Sequence, residues 1–481
     1  MPWHQPSRIG ARSAIANHPW RIETNGINKV ADEERTGRIS DLFWIWFAAN
    51  IGILGVVYGA IILSFGLNFI QCILVIILGT ASFFLVGAFS IAGRNGGAPM
   101  MTLSRKVFGI YGNILPNAIS WISLVGWETI SVITGTLALT ALFSTYWHLN
   151  FTTASLLGIV TMLSAILAAG LLGHATLAII QKWASYIFGA LTILVIVLII
   201  PKTHWHLLFG HPAGSWIRSF FPALTIIIAG TGLSWANAAG DYSRYLPKKV
   251  PTGAIVWSTA LGGGLPLGVL MFVGILLATQ VPTLASAANP IQAIGNVLPG
   301  WAAIPYLITA AGGLVVEGNL GLYSSGLNLL NMFVPLERYK TVVIDALIMT
   351  VGTIYVVLIA QNFFGPLEAF LTLLGIGLAS WAGVFLAEQL FRSRGSSDYP
   401  SEMIYPARAA NPIRYSALIG WAVGAVVGLL FTTSPFFTGP LAKGIFTGSS
   451  LELLIAFFLA GVIFLVLDKR PEVTREQAPQ Q

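Results

Sequence analysis

Ala48-Ala49-Asn50-Ile51-Gly52-Ile53-Leu54-Gly55 and Ala229-Gly230-Thr231-Gly232-Leu233-Ser234-Trp235-Ala236-Asn237 each lie in the middle of a long apolar run. Both put small, flexible residues where a helix crossing a bilayer needs an unbroken ladder of backbone hydrogen bonds. Taken singly, such glycines have an ordinary explanation, because small residues let neighbouring membrane helices approach closely. Their positions say more. One stretch falls in the first apolar run and the other in the sixth, as expected for an inverted repeat of five helices plus five with unwound segments exposing backbone groups near the midplane. The same offset of five pairs the third run with the eighth, and those two carry Glu128 and Glu317.

Around these stretches the whole chain is apolar. Hydrophobic residues make up 56% and charged residues 9%, where a soluble domain carries about 25% charged. Apolar runs occur near 41–65, 69–92, 113–144, 153–172, 178–200, 216–238, 252–279, 301–334, 341–360, 364–391, 413–432 and 450–467, each close to or above the roughly 20 residues that span hydrocarbon as a helix. Weak period-2 alternation argues against a membrane barrel. The expectation is an all-α polytopic membrane protein with about 12 transmembrane helices. Residues 1–40 form a polar N-terminal tail, 41–200 the first repeat (helices 1–5), 216–391 the second (helices 6–10), 413–467 two peripheral helices (11–12) and 468–481 a C-terminal tail.

Of the 25 Lys and Arg, only Lys202, Arg218 and Lys443 fall in odd-numbered connections; the rest lie in the tails or the even-numbered ones. That asymmetry places both termini in the cytoplasm, with the protein in the plasma membrane of a cell or the inner membrane of a bacterium. The net charge of +7 follows from the same asymmetry and from anionic lipid headgroups, so it gives no reason to invoke nucleic acid. The single Cys72 excludes an intramolecular disulfide, and no Cys/His cluster has metal-ligand spacing. The first 40 residues lack the apolar core of a signal peptide, which leaves the first span to start translocation. No nucleophile–base pair appears at a recognisable spacing. No catalytic residue, metal, cofactor or obligate protein partner is expected.

A carboxylate in hydrocarbon is rare unless it faces a partner or a wet cavity, so Glu128 and Glu317 are functional-site candidates. The other acids have plainer readings. Asp241 stands three residues before Arg244 and is expected to form a structural ion pair with it, supporting a gate. Asp345 and Glu388 lie near span ends, where snorkelling or a nearby base accounts for them. His174, Gln181, His204, His206 and His211 read as ordinary loop residues.

Several stretches together resemble the nucleobase–cation symporter-1 family, nearest its purine and cytosine permease branch, over most of residues 20–430. Gly93-Arg94-Asn95-Gly96-Gly97-Ala98-Pro99, with Ser104-Arg105 and Phe108-Gly109, is similar to the family's loop between helices 2 and 3. Gly240-Asp241-Tyr242-Ser243-Arg244-Tyr245-Leu246 resembles its signature after helix 6, and Leu322-Tyr323-Ser324-Ser325-Gly326-Leu327 a shared stretch of helix 8. The resemblance implies a LeuT-like fold, ten core helices in two inverted repeats plus two peripheral ones, and transport of a nucleobase with a cation.

It also implies a site. Val125-Gly126-Trp127 matches the family's Gly-Trp, whose indole stacks on a planar substrate; stacking a base on an aromatic ring is worth about 1–3 kcal/mol. Most of the 15 Trp have a plainer role as interfacial anchors or packing, but Trp127 is mid-span and beside a carboxylate. Ser131, one turn on, matches a position that often holds Gln or Asn. The substrate stretch of helix 6 maps to Thr231, Gly232 and Ser234; some cytosine-type members have an aromatic residue at the position of Gly232, a wall for which Trp235 is the candidate replacement. Asn50 and Asn319 offer amides to a base edge or else stabilise a broken helix, and Gly52 and Gly313 complete the expected binding set. Glu368, after Gly365-Pro366, lies on a span resembling the family's mobile outer gate and joins Asp241 and Arg244 as a gating candidate. Aligning on Leu322-Tyr323 puts Val316 and Glu317 where sodium-coupled members have adjacent Ser/Thr ligands. Val316 cannot ligate a cation, whereas a buried carboxyl can carry a proton. Proton coupling through Glu317, with Glu128 as second carrier, stands beside two alternatives: a Glu317 that only accepts hydrogen bonds, and sodium held by Glu317 with carbonyls near Gly52 and Ile53. The substrate alternatives are allantoin or a hydantoin, uracil, a vitamin such as thiamine or pyridoxine, or an amino acid.

Overall fold

A chain in hydrocarbon must satisfy its backbone from within, which favours helices throughout. The computed structural model describes Trp20 and residues 25–170, 174–360, 364–393, 398–406, 412–434 and 437–468. In chain order the helices are α1 (Ile39–Asn50), α2 (Leu54–Ser64), α3 (Phe69–Ala81), α4 (Phe83–Gly96), α5 (Met100–Phe108), α6 (Ile114–Tyr146), α7 (Phe151–Gly170), α8 (His174–Ile199), α9 (Trp205–Gly210), α10 (Phe221–Gly230), α11 (Gly232–Ala236), α12 (Ala239–Ser243), α13 (Thr252–Ala278), α14 (Pro290–Val297), α15 (Gly300–Asn331), α16 (Arg338–Ile354), α17 (Phe364–Ala387), α18 (Ser401–Ile404), α19 (Tyr415–Leu430) and α20 (Glu452–Leu467). Among the described residues, β-structure is confined to one bridge, Thr433 to Thr438. Among the described residues, nine segments are long and apolar enough to cross a membrane, α1 with α2 makes a tenth bent by 58°, and α19 and α20 are shorter apolar helices. Together they approach the dozen expected.

Local chemistry sets the ends. Asn68 caps α3 by accepting from the Gln71 N–H (2.9 Å), while the Gln71 side chain accepts from the Asn68 N–H (3.2 Å), a reciprocal cap that satisfies two otherwise orphaned donors. Gly97 ends α4 in the left-handed conformation, φ +65°, which a residue without Cβ adopts freely.

The long helices α6 and α15 share the most extensive contact in the fold, with α7 and α16 alongside. On the other side α1, α2 and α4 pack on α13, and α17 packs on α20, itself paired with α19. Contact between α2 and α13 is unusually close: a Cβ on Gly59 would stand 2.7 Å from the Gly274 Cα, so only glycines let these backbones meet. Buried Arg414 binds Asp468 through two nitrogens (2.7 and 3.1 Å) and lies 2.7 Å from Glu388. This tethers α17, α19 and α20, and it supplies the base expected for Glu388.

Gly59→Leu should force α2 from α13 and lower stability by about 1–3 kcal/mol, the usual range for overpacking. Gly253→Ala, where a Cβ meets nothing within 4 Å, should leave stability within about 0.5 kcal/mol. Thermal unfolding of the detergent-solubilised protein, followed by size exclusion, checks both.

Candidate functional site

Two helix breaks face each other at the centre of the bundle. α1 ends at Asn50, whose Nδ2 donates to the Trp46 carbonyl (2.8 Å), and α2 resumes at Leu54 with the Gly55 N–H donating to the Gly52 carbonyl (3.2 Å). The second break is at Thr231, with φ −124° and ψ −115°. Its hydroxyl donates back to the Ile227 carbonyl (2.6 Å), and the Gly232 N–H donates to Ser82 Oγ (2.9 Å), at the junction of α3 and α4. Ser234 Oγ donates to the Thr231 carbonyl (2.8 Å). Tyr58 of α2 donates its hydroxyl to the Gly230 carbonyl (3.3 Å), joining one break to the other.

Between the breaks lies a cavity walled by Asn50, Gly52, Tyr58, Trp127, Trp235 and Glu317, among others. Its volume is about 20 Å³ measured at the centre of a water-sized sphere, room for about one water and too little for a ring. Both indoles are braced from behind. Trp127 meets the Phe370 ring edge-on (centroids 5.6 Å, planes at 82°), and Trp235 meets Trp46 (5.6 Å, 76°). Trp46 in turn stands edge-on to Tyr242 (5.4 Å, 87°). The carboxyl of Glu317 lies against Gly52, with Oε2 3.4 Å from the point where a Cβ would stand.

The expected residues therefore divide. Asn50, Gly52, Trp127 and Glu317 line the cavity. Thr231 and Ser234 spend their hydroxyls on the break, where Gly230 and Trp235 supply the walls instead. Gly232 packs against Ser82, where a Cβ would overlap its backbone, so no aromatic side chain fits there. Ser131 is fully buried beside Gly318, and Asn319 is 1% exposed beside Gly170 with neither amide atom bonded; neither residue borders the cavity. Gly313 sits behind it, next to Phe188, a Cβ there lying 4.0 Å from the Gly52 Cα. Glu128 points away from the cavity, pressed on Gly321 and fully buried.

The expected ion pair between Asp241 and Arg244 does not form. Asp241 accepts from the Met100 N–H (2.7 Å), while Arg244 donates to the Gly26 carbonyl and the Tyr323 hydroxyl (both 2.7 Å) and lies over the Tyr245 ring. The side chain of Glu368 lies outside the described residues. His174 and Gln181 are not loop residues but buried at the start of α8: the His174 ring stacks on Tyr245 (4.6 Å, 29°), and Gln181 Nε2 donates to the Val316 carbonyl (3.1 Å). Tyr58, Ser82 and Phe370 join the site without having stood out in the sequence. Tyr58 carried a usable signal, a hydroxyl one turn beyond the first break in an otherwise apolar run; Phe370 carried none.

A family model described as permease for cytosine/purines, uracil, thiamine, allantoin matches residues 29–456. The chain belongs to this nucleobase–cation symporter-1 family. A putative purine-cytosine permease of Bacillus subtilis, YxlA, is 28% identical over 474 residues, 93% of this chain and 96% of that protein. The purine-cytosine permease FCY2 of Saccharomyces cerevisiae is 25% identical over 399 residues, covering 78% and 72% of the two. Mhp1, a nucleobase-cation-symport-1 transporter solved in a closed conformation with bromovinylhydantoin bound, superposes with a TM-score of 0.71 at 16% identity, over 93% of this chain and 95% of that one. The fold is accordingly LeuT-like, and this member of the family is an integral membrane transporter rather than an enzyme.

Ser82→Ala removes the acceptor of the Gly232 N–H, leaving a buried donor unpaired. A loss of about 1–3 kcal/mol is expected, read as a lower unfolding midpoint than wild type; an unchanged midpoint would mean that the second break does not need Ser82.

Proposed function

We propose that this permease imports a nucleobase, a purine or a cytosine-like ring, together with a proton, by alternating access across the plasma membrane, with both termini in the cytoplasm. The observation that carries the proposal is Glu317 in the cavity wall against the first helix break. A titratable group there is felt by the helix that must move, and its neighbour Val316 has no side-chain ligand for a metal cation. The backbone oxygen of Val316 is already taken by Gln181. Trp127 and Trp235 face the same cavity and offer flat surfaces to a flat ring. The purine-cytosine permeases among the relatives favour a base over an amino acid. Glu128 is a second proton carrier, and Asp241, Arg244 and Glu368 belong to the gates.

The small cavity volume is that of a shut site. Admission of a base requires one group of helices to rock against the other so that the site opens on one side, release requires the opposite motion, and the site stays near the midplane. Proton and base are coupled because both favour the same closed state, and a ligand shifts such an equilibrium only by its differential affinity. The competing reading has sodium on the Glu317 carboxylate, since Gly52 of the first break lies within contact distance of that group.

Uptake of radiolabelled bases into proteoliposomes separates the two. A pH gradient alone should drive accumulation, and Glu317→Gln should abolish accumulation while base-for-base exchange survives; accumulation that requires sodium would replace the proton by that ion. Trp127→Ala should weaken base binding at least tenfold, in keeping with a stacking contact of about 1–3 kcal/mol. An unaltered apparent affinity would take Trp127 out of the site.

A further inference from the structure

Glu128 and Asp241 are the two buried acids that the cavity does not use. Glu128 is fully buried with neither carboxyl oxygen hydrogen-bonded, and Asp241 is 1% exposed with Oδ2 unpartnered. Unpaired polar atoms this deep are uncommon, and a group of hydroxyls stands between these two. The Tyr242 hydroxyl bonds the Leu320 carbonyl at 2.8 Å, beside the Gly321 on which Glu128 rests, and lies 3.0 Å from Ser324 Oγ. Ser324 in turn lies beside the carboxyl of Asp241. The other neighbour of Glu128, Ser325, is engaged elsewhere: it donates to Asp345 Oδ2 at 2.9 Å, and Trp121 Nε1 donates to Asp345 Oδ1 at 3.1 Å. Asp345 thus has two donors on its carboxyl, whereas the Glu128 oxygens lack a hydrogen-bond partner. Glu317 precedes Gly321 by four residues, one turn along the same face of α15 and about 6 Å in rise.

We propose that these groups form the route by which the coupling proton leaves the substrate site for the cytoplasm, from Glu317 to Glu128, through the hydroxyls of Tyr242 and Ser324, to Asp241. The proposal rests on the proton-coupled reading of Glu317. Each hydroxyl accepts one proton on oxygen and gives up its own, and Glu128 takes the proton of Glu317 and passes one on, so Glu128 and the hydroxyls end unchanged, Glu317 ends as the carboxylate and Asp241 as the acid. The transfer from Glu128 to Tyr242 crosses part of one helical turn, by rotation of the carboxyl or through one bridging water. The ionisable groups facing this seam include Glu128 on α6, Glu317 and Tyr323 on α15, Asp241 and Tyr242 on α12, Arg244 just after it, bonded to the Tyr323 hydroxyl, and Asp345 on α16. Arg244 follows Asp241 by three residues and holds the Gly26 carbonyl of the N-terminal segment, so the route ends beside the contact between that segment and the bundle.

Tyr242→Phe removes the hydroxyl and keeps the ring against Trp46; Ser324→Ala removes the next one. Both are measured in proteoliposomes containing a trapped pH dye, with adenine and cytosine as the probe bases and wild type alongside. Each variant should bind base and exchange it within about twofold of wild type, yet lose at least tenfold in the rate of base-evoked acidification of the lumen. Wild-type rates of acidification in both variants would overturn the route while leaving proton coupling intact. Loss of exchange in step with acidification in both would overturn it too, by assigning the two hydroxyls to structure. Wild-type uptake that acidifies nothing and needs sodium would remove the proton reading itself, and the route with it.

Discussion

Everything in this structure depends on interrupting two helices inside hydrocarbon without leaving backbone groups unpaired. A buried donor or acceptor without a partner costs about 1–3 kcal/mol, so each break has to be supplied with substitutes. At the second break they come from the Thr231 hydroxyl, which bonds its own helix, and from Ser82 on a neighbouring one. Tyr58 then carries a hydrogen bond from the first broken helix to the end of α10. The two breaks are a single cross-braced unit, and the cavity exists because that unit keeps α1, α2, α10 and α11 from closing over it.

Against the unit stands the α6–α15 pair. Its inner face presents Trp127 and Glu317 to the cavity; one turn further along, the same seam holds Glu128, Tyr242, Ser324 and Asp241. The cavity and this buried polar seam thus occupy adjacent stretches of one helix interface. Arg244, bound to Gly26 and Tyr323 and lying over Tyr245, closes the seam where the N-terminal segment crosses it.

Much of this was legible in the sequence. Glycine and asparagine in the first and sixth apolar runs mark the breaks, because an unbroken lipid-facing helix has little use for them. Glu317 stands out because charge in hydrocarbon is rare. Even the divergence of Trp127 and Glu128 follows from helix geometry, since adjacent residues point about 100° apart and only one of them can face the cavity. What sequence could not show is how polar side chains are spent. Thr231 and Ser234 read as substrate contacts, and the structure adds that their hydroxyls bond the break; three-residue spacing suggests an Asp241–Arg244 pair, where Asp241 instead takes the Met100 N–H and Arg244 the Gly26 carbonyl and Tyr323 hydroxyl. Ser82, Gln181 and Phe370 matter through partners far away in the chain, and no local pattern distinguishes them from other residues of their kind.

The most direct test of the central claim, that a proton on Glu317 travels with the base, counts both species entering the same vesicles. Initial rates of radiolabelled base uptake and of lumenal acidification would be followed in sodium-free medium as base concentration is raised. If Glu317 carries the coupling proton, protons enter at a fixed ratio to base and the two rates saturate at the same base concentration. Base entering without protons, or protons entering at a rate independent of base, would contradict it.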